Sequence, residues 1–442
     1  MKMQEVIEYI IRFLLGDESS TEIANLIGYT SDKEEFSRYK LVIYPSDFFQ
    51  PEVYGTPQTL PVLPLKIWED TPILFGQPKV EKIGQTRILY ADIIASTYFL
   101  ITRYEEMIRP ECRDVHGRFP GKESISYRAG FIDRPLVDEY GKLLRKQLRE
   151  LGINVPEPSK KIKKIFLTHD IDQLAHYRRF RGMMGALWRG IKQPNKRPEA
   201  KRAIKTFFKG IRFDPWYTFP WLFKMDLSLI DILGKERCEI IVFIKAGGGK
   251  QREDKPHSNL VHPDYQNLIK YCKRKNITIG LHTSYKAGKY PELIAEEKKR
   301  LERNAKVKIY YNRNHFLRMC EPEDMETLIQ AGITDDFTLT YADVAGFRIG
   351  TCRPVKWINP KNKELTSLTL HPMTIMDSTL SDKRYMNMSA YDAYEYCVQL
   401  INNIENYGGE FVLLWHNTMV EEKSQSYHRT LYQNIIDYLK TK

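Results

Sequence analysis

The segment LTHDID (167–172) closes an apolar run with a histidine and two carboxylates one residue apart. Side chains alternate along an extended chain, so Asp170 and Asp172 leave the same face. Paired carboxylates resist ionising together unless a cation compensates them. One natural division of labour has Asp172 holding a metal while Asp170 acts as a base on water. An isolated DxD serves equally well as a helix cap or Asx-turn, and some sugar-nucleotide transferases hold a metal with the same pattern. Three later segments add matching chemistry: His282 in GLHTSY (280–285), Arg313 and His315 in YNRNHFLRM (311–319), and His416 in LLWHNT (413–418). Imidazole ligates metals and moves protons near neutral pH, and a guanidinium orients carboxylates through paired hydrogen bonds. One histidine at a strand end says little. Several such groups at corresponding strand ends describe a pocket.

The elements that must position these residues are short apolar or β-branched runs alternating with helical stretches. KIFLTHD (164–170), EIIVFIKA (239–246), ITIGLHTS (277–284), VKIYYNRNH (307–315), SLTLHP (367–372) and EFVLLWHN (410–417) read as strands. Residues 264–275, 291–305, 322–332 and 389–409 read as helices between them. Such alternation implies parallel strands with helical crossovers, in an open doubly wound sheet or a distorted barrel, and places the reactive residues at the carboxyl ends. Residues 1–155 form a smaller α/β domain, with strands at 40–45 and 87–93 and helices at 92–107 and 135–151. The proline- and lysine-rich NVPEPSKKIKK (154–164) is the linker candidate before a second domain at 160–442.

A length of 442 residues fits two domains. No apolar stretch is long enough to span a bilayer, and MKMQEVIEYIIRFLLGD, interrupted by Glu5 and Glu8, reads as an amphipathic helix ending near Gly16 rather than a secretion signal. A cytoplasmic location is the resulting expectation, either free or peripheral to the inner membrane face. The six cysteines are scattered without a CxxC pair, which argues against a zinc ribbon or a disulfide framework. The net charge of +12 is concentrated: residues 178–212 hold twelve Lys or Arg against one acid, Glu199. They open an insertion at about 178–235 with two amphipathic helical patterns. A solvated helical pair is one reading, and contact with anionic membrane or a phosphate-bearing, lipid-linked glycan is the other. No nucleic-acid-binding motif accompanies the charge. AGGGK (246–250) does not match a phosphate loop and reads as a turn.

LTHDID, GLHTSY, RNHFLRM and LLWHNT, in this order and spacing, resemble the motifs of the NodB-like polysaccharide deacetylases (carbohydrate esterase family four). TLTYADVAGFRIGTCRP (338–354) resembles a branch with an extra N-terminal domain, common in Bacteroidetes polysaccharide loci. The resemblance covers roughly 160–442, with weaker likeness at 100–106 and 114–124. It implies a distorted (β/α) barrel that uses one divalent metal, usually zinc, to remove an N-acyl (acetyl) group from an amino sugar of a polysaccharide or lipid-linked glycan. Carried over by motif, Asp170 is the base, Asp172 and His282 are metal ligands, Arg313 orients the base and His416 is the general acid; Tyr285, Tyr341, Arg348 and Trp415 are the expected substrate contacts. The family's second metal histidine falls at Lys286, whose protonated amine is a poor ligand, so His315 is expected to supply the missing donor, ahead of His169 or His371. A catalytically silent glycan- or partner-binding relative is the alternative that Lys286 encourages. A DxD glycosyltransferase would leave His282 and His416 without roles.

Overall fold

The computed structural model describes residues 2–16 and 21–442. The chain divides into two compact units, each assembled from separate stretches: 1–163 with 335–374 and 399–411, and 164–334 with 375–398 and 412–442. Periodicity along a sequence identifies elements but not which of them pack together, so the return of 335–374 and 399–411 to the first unit has no signature in the linear pattern. Within the segment read as a linker, Val155 and Ile162 are buried.

In the first unit, the amphipathic helix α1 (Lys2–Leu15) buries Val6, Ile10, Ile11 and Leu14. A four-stranded sheet follows, made of β1 (Ile27–Tyr29), β2 (Leu41–Ile43), β3 (Gly76–Ile83) and β4 (Thr86–Ala91) in the order β1-β2-β4-β3. Only the β3–β4 pairing is antiparallel. Asp92 caps α2 (Ile93–Ile101), accepting from Ala95 N at 2.9 Å. The expected helix at 92–107 breaks just beyond, where Arg103 takes a left-handed conformation at φ 52°. α3 (Leu136–Arg149) packs Leu136, Tyr140, Leu144 and Leu148 inward. The returning segment adds Val355–Asn359 antiparallel to Glu364–Leu370, which runs parallel to Asp335–Asp336. Buried ion pairs tie that segment down: Arg348 grips Glu106 at 3.0 and 2.7 Å, and Arg353 Nε meets Asp138 at 2.6 Å. A buried pair resists disruption because either partner alone would be an uncompensated charge.

The second unit is built on β5 (Lys164–Ile171), β6 (Cys238–Lys245), β7 (Thr278–Thr283), β8 (Tyr311–Asn314), β9 (Ile375–Met376) and β10 (Glu410–Leu414), in the order β8-β7-β6-β5-β10-β9. β5 to β8 are mutually parallel, and β9 is parallel to β10. Their apolar residues are buried along nearly the whole strand, as expected of a sheet covered on both faces. The basic insertion between β5 and β6 folds as α4 (Phe180–Lys192), α5 (Arg197–Lys209) and α6 (Phe219–Leu233); α7 (Pro263–Lys275) and α8 (Ile294–Ala305) fill the next two crossovers. The sheet order is linear, and among the described residues no strand pairing closes it into the barrel that the sequence resemblance implies. Strand formation in 307–315 is confined to Tyr311–Asn314. Among the described residues no helix is long and apolar enough to cross a membrane.

His371 illustrates how the first unit handles buried charge. Its Nε2 meets Asp335 at 3.0 Å, its Nδ1 meets Glu410 at 2.8 Å, and its ring stacks on Phe337 at 4.4 Å. Burial alone would lower its pKa, but the two carboxylates outweigh burial and push it up to about 9. Because the folded-state value lies above the unfolded one, the stabilisation is fully present below about pH 6.5 and is lost as pH rises through about 9. Denaturant unfolding of wild type and His371→Asn should therefore differ by roughly 3 kcal/mol at pH 6, with the gap largely closed by pH 10. A gap independent of pH would refute the buried imidazolium.

Candidate metal centre

The strand register assembles the site. Ile171 pairs with Ile244, Lys245 with His282, and His282 with Arg313. Asp172, one residue past the last β5 pairing, is thus level with Lys245, and a single row of side chains crosses four strand ends on one face of the sheet. The row below it holds Asp170, Phe243 and Gly280. A Cβ on Gly280 would lie 2.5 Å from the Phe243 ring, so glycine there admits the ring, and the ring in turn supports the Arg313 guanidinium 4.5 Å away.

Two imidazoles converge on one carboxylate oxygen. His282 Nε2 lies 3.2 Å and His315 Nε2 3.1 Å from Asp172 Oδ1, and the three ligand atoms all lie within 4.8 Å of one another. His282 Nδ1 sits 2.9 Å from the Arg313 carbonyl, which can only accept, so Nδ1 must carry a proton. In the neutral ring Nε2 then presents a lone pair to a carboxylate oxygen, an arrangement that needs a proton or a metal ion between them. Burial would raise the Asp172 carboxyl, but His315, His282 and His416 overcome it and hold it well below the usual carboxylate range. Burial pulls the His315 imidazole down despite Asp172. His315 is presented by a strained turn, with Phe316 at φ 60° and Leu317 at φ 54°, conformations costing on the order of 1–3 kcal/mol each for such residues. Two imidazoles and one carboxylate suit zinc and leave coordination positions open.

The residues expected from the sequence as base and acid, Asp170 and His416, flank this triad. Arg313 Nη1 donates to Asp170 Oδ1 at 3.0 Å and to Thr168 Oγ1 at 2.7 Å, while Asp170 Oδ2 lies 3.7 Å from His282 Nε2. His416 Nε2 is 3.8 Å from Asp172 Oδ2, and its Nδ1 is 2.9 Å from Asp377 Oδ1. The Asp377 Oδ2 also accepts the His416 backbone N–H at 2.6 Å. Burial disfavours the His416 imidazolium, but Asp377, followed by Asp172 and Asp170, raises its pKa to about 10.

Asp170, Asp172, His282, Arg313, His315 and His416 thus come together. The other sequence candidates lie elsewhere. His169 engages Trp415 O at 2.8 Å and Asp226 at 2.9 Å, leaving no nitrogen for a metal, and His371 is held by its two carboxylates in the first unit. At Lys286, the backbone N–H is bonded to Asp254 at 3.1 Å, beside Tyr285 N on the same carboxylate at 2.9 Å. The expected substrate contacts are all buried: Tyr285 lies beneath the Arg318 guanidinium, Trp415 packs on Tyr432 and His428, and Tyr341 and Arg348 stack together inside the first unit.

Two residues escaped the sequence reading. Asp377 follows a two-residue strand, too short to stand out, although its place directly after apolar Ile375–Met376 is the same strand-end position as the others. Lys245 ends a run recognised as a strand, but a terminal lysine ordinarily reaches solvent. Here it is 1% exposed, with no hydrogen-bond or ion-pair partner among the described residues, and burial pulls its ammonium below the usual lysine range despite Asp172 and Asp254.

Among known proteins, a family model described as a family of unknown function (DUF7033) matches residues 2–153. No curated protein matches the chain. A solved structure from Mycobacterium smegmatis, under the provisional description of polysaccharide deacetylase, is similar at 15% identity and a TM-score of 0.39, over 65% of this chain and 86% of that one.

The donor set is tested by zinc competition against a chromophoric chelator. His315→Ala should weaken zinc binding by roughly a hundredfold or more, and Lys286→Ala should leave it within a few fold. Lys245→Met, which removes a positive charge from the row between Asp172 and His282, should tighten it by roughly tenfold. Unchanged affinity in His315→Ala would remove His315 from the site.

Proposed function

We propose that the second unit hydrolyses an N-acyl group, acetyl foremost, on an amino sugar of a cell-surface or capsular polysaccharide or its precursor, with zinc held by Asp172, His282 and His315. The observation that carries this reading is the meeting of two imidazole nitrogens at a single Asp172 oxygen, with the base and acid of a hydrolysis on either side. The order of the four sequence motifs supports it independently.

A divalent ion in that position supplies Lewis acidity toward an acyl carbonyl and toward water. The remaining work belongs to the protein. Asp170 takes the proton from the attacking water; Arg313 occupies its Oδ1 and leaves Oδ2 facing the pocket. The Thr168 hydroxyl holds the guanidinium so that the carboxylate cannot swing away. His416 delivers a proton from Nε2 to the departing amine, because Asp377 secures Nδ1 and the adjoining backbone N–H. A C–O bond forms and the amide C–N bond breaks, yielding a carboxylate and a free sugar amine. The sequence has no GxSxG nucleophile elbow through which an acyl-enzyme would form.

Acetate release from N-acetylated oligosaccharides by the zinc-loaded full chain is the direct test. Asp170→Asn should lower it by about a thousandfold or more while zinc affinity is kept, since the base contributes to chemistry and not to binding. Activity surviving in Asp170→Asn would sink the assignment of the base, and zinc binding without any acyl release from such substrates would sink the reaction.

A further inference from the structure

The hairpin α4–α5 has a finished interior of its own. Met183, Ala186 and Ala203 pack with Tyr177, Leu187 and Phe207, and the helices approach so closely that a Cβ on Gly190 would lie 2.7 Å from that of Ala200. Its single acid is spent internally, with Glu199 accepting from Arg189 at 2.5 Å and from Tyr177 at 3.0 Å. Large apolar side chains nevertheless remain outside. Phe180 is 64% exposed, Trp188 59%, Ile191 76% and Phe208 73%, with Met184 and Ile204 also exposed. On α4 these residues recur at i, i+4, i+8 and i+11, which is one stripe of a helix. Ring contacts carry the stripe across to α5, from Phe180 to Phe207 at 6.4 Å and from Phe207 to Phe208 at 5.1 Å.

Cations rim and interleave this apolar surface. Arg181, Lys192, Lys196, Arg197, Lys201, Lys205, Lys209 and Arg212 are exposed, and two lie over rings: Lys192 Nζ is 4.5 Å from the Trp188 ring and Lys205 Nζ 4.0 Å from Phe213. Soluble proteins seldom leave a contiguous apolar patch uncovered. Cations alone would suit nucleic acid as well, but exposed Ile191, Met184 and Ile204 have nothing to contact on a phosphate backbone, whereas an anionic bilayer meets both features at once: headgroups match the lysines and arginines, and the acyl boundary takes the aromatic and aliphatic stripe.

We infer that α4–α5 is a peripheral docking surface for an anionic lipid membrane. Neither helix is long enough to cross a bilayer, so the hairpin lies in the interface. Co-sedimentation of the full chain with vesicles tests this. Binding is expected to vesicles of phosphatidylcholine with one third phosphatidylglycerol, to fall as salt is raised, and to be near background on phosphatidylcholine alone. Trp188→Ser with Ile191→Ser leaves every charge in place at exposed positions and should weaken binding by roughly tenfold or more; Lys201→Glu with Lys205→Glu should weaken it most at low salt. The inference is overturned by no binding to the anionic vesicles, by unchanged binding in Trp188→Ser/Ile191→Ser, by duplex RNA binding in place of vesicle binding, or by self-association that this double variant abolishes without any vesicle binding in wild type.

Discussion

The arrangement around Asp172 Oδ1 constrains everything near it. At Asp172 Oδ1 two imidazole nitrogens arrive at 3.2 and 3.1 Å. His315 can donate there from Nε2 as a neutral ring. His282, its Nδ1 proton taken by the Arg313 carbonyl, meets the oxygen with a nitrogen that needs a further proton or an ion, and a single ion satisfies all three groups. The position of that oxygen follows from the β5–β6 register, and that of the His282 lone pair from the β7–β8 register, through the Arg313 carbonyl. One residue thus serves twice: the Arg313 backbone orients a metal-type ligand, while its side chain orients the carboxylate assigned as the base.

Charge compensation at several buried carboxylates of the unit takes one form. Asp170 is matched by Arg313, Asp377 by His416 and Asp226 by His169. Each of these carboxylates meets a cationic or proton-bearing side chain, which keeps the desolvation cost tolerable, whereas the buried Asp214 and Asp254 accept from backbone N–H groups. Asp172 departs from that pairing, being a third exposed and shared among three imidazoles. Lys245 departs from it in the opposite direction, as a buried ammonium with no ion-pair partner among the described residues, although Asp172 and Asp254 act on it electrostatically. Its place in the row is dictated by strand alternation, level with Asp172 and His282.

How much of this was legible depended on whether the signal was local. Asp170, Asp172, His282, Arg313, His315 and His416 each end or follow a recognisable apolar run, so strand alternation and the carboxyl-end rule sufficed to group them. Lys245 lay at the end of such a run too, but its burial comes from neighbours on other strands. Asp377 follows a strand of two residues, below what periodicity can detect. Tyr341 and Arg348 enter through the motif-like segment 338–354 alone; Glu106, more than two hundred residues away, is what engages the arginine there. The discontinuous first unit was likewise beyond a linear reading, since its late segments carry no mark of membership.

The insertion after β5 has two parts with different duties. A parallel crossover requires one helix to return over the sheet, and α6 meets that need, burying Phe219, Leu222, Phe223 and Leu229. From within it Asp226 accepts both His169 Nε2 at 2.9 Å and the Tyr432 hydroxyl, which locks the histidine of LTHDID away from any metal. The crossover is complete without α4 and α5, so their composition was free to answer to something outside the fold. Their tether is nonetheless short. Phe180 lies eight residues beyond Asp172, a reach of at most about 30 Å even when extended. That bound applies to the start of the hairpin, and the length of α4 adds about 20 Å to its far end.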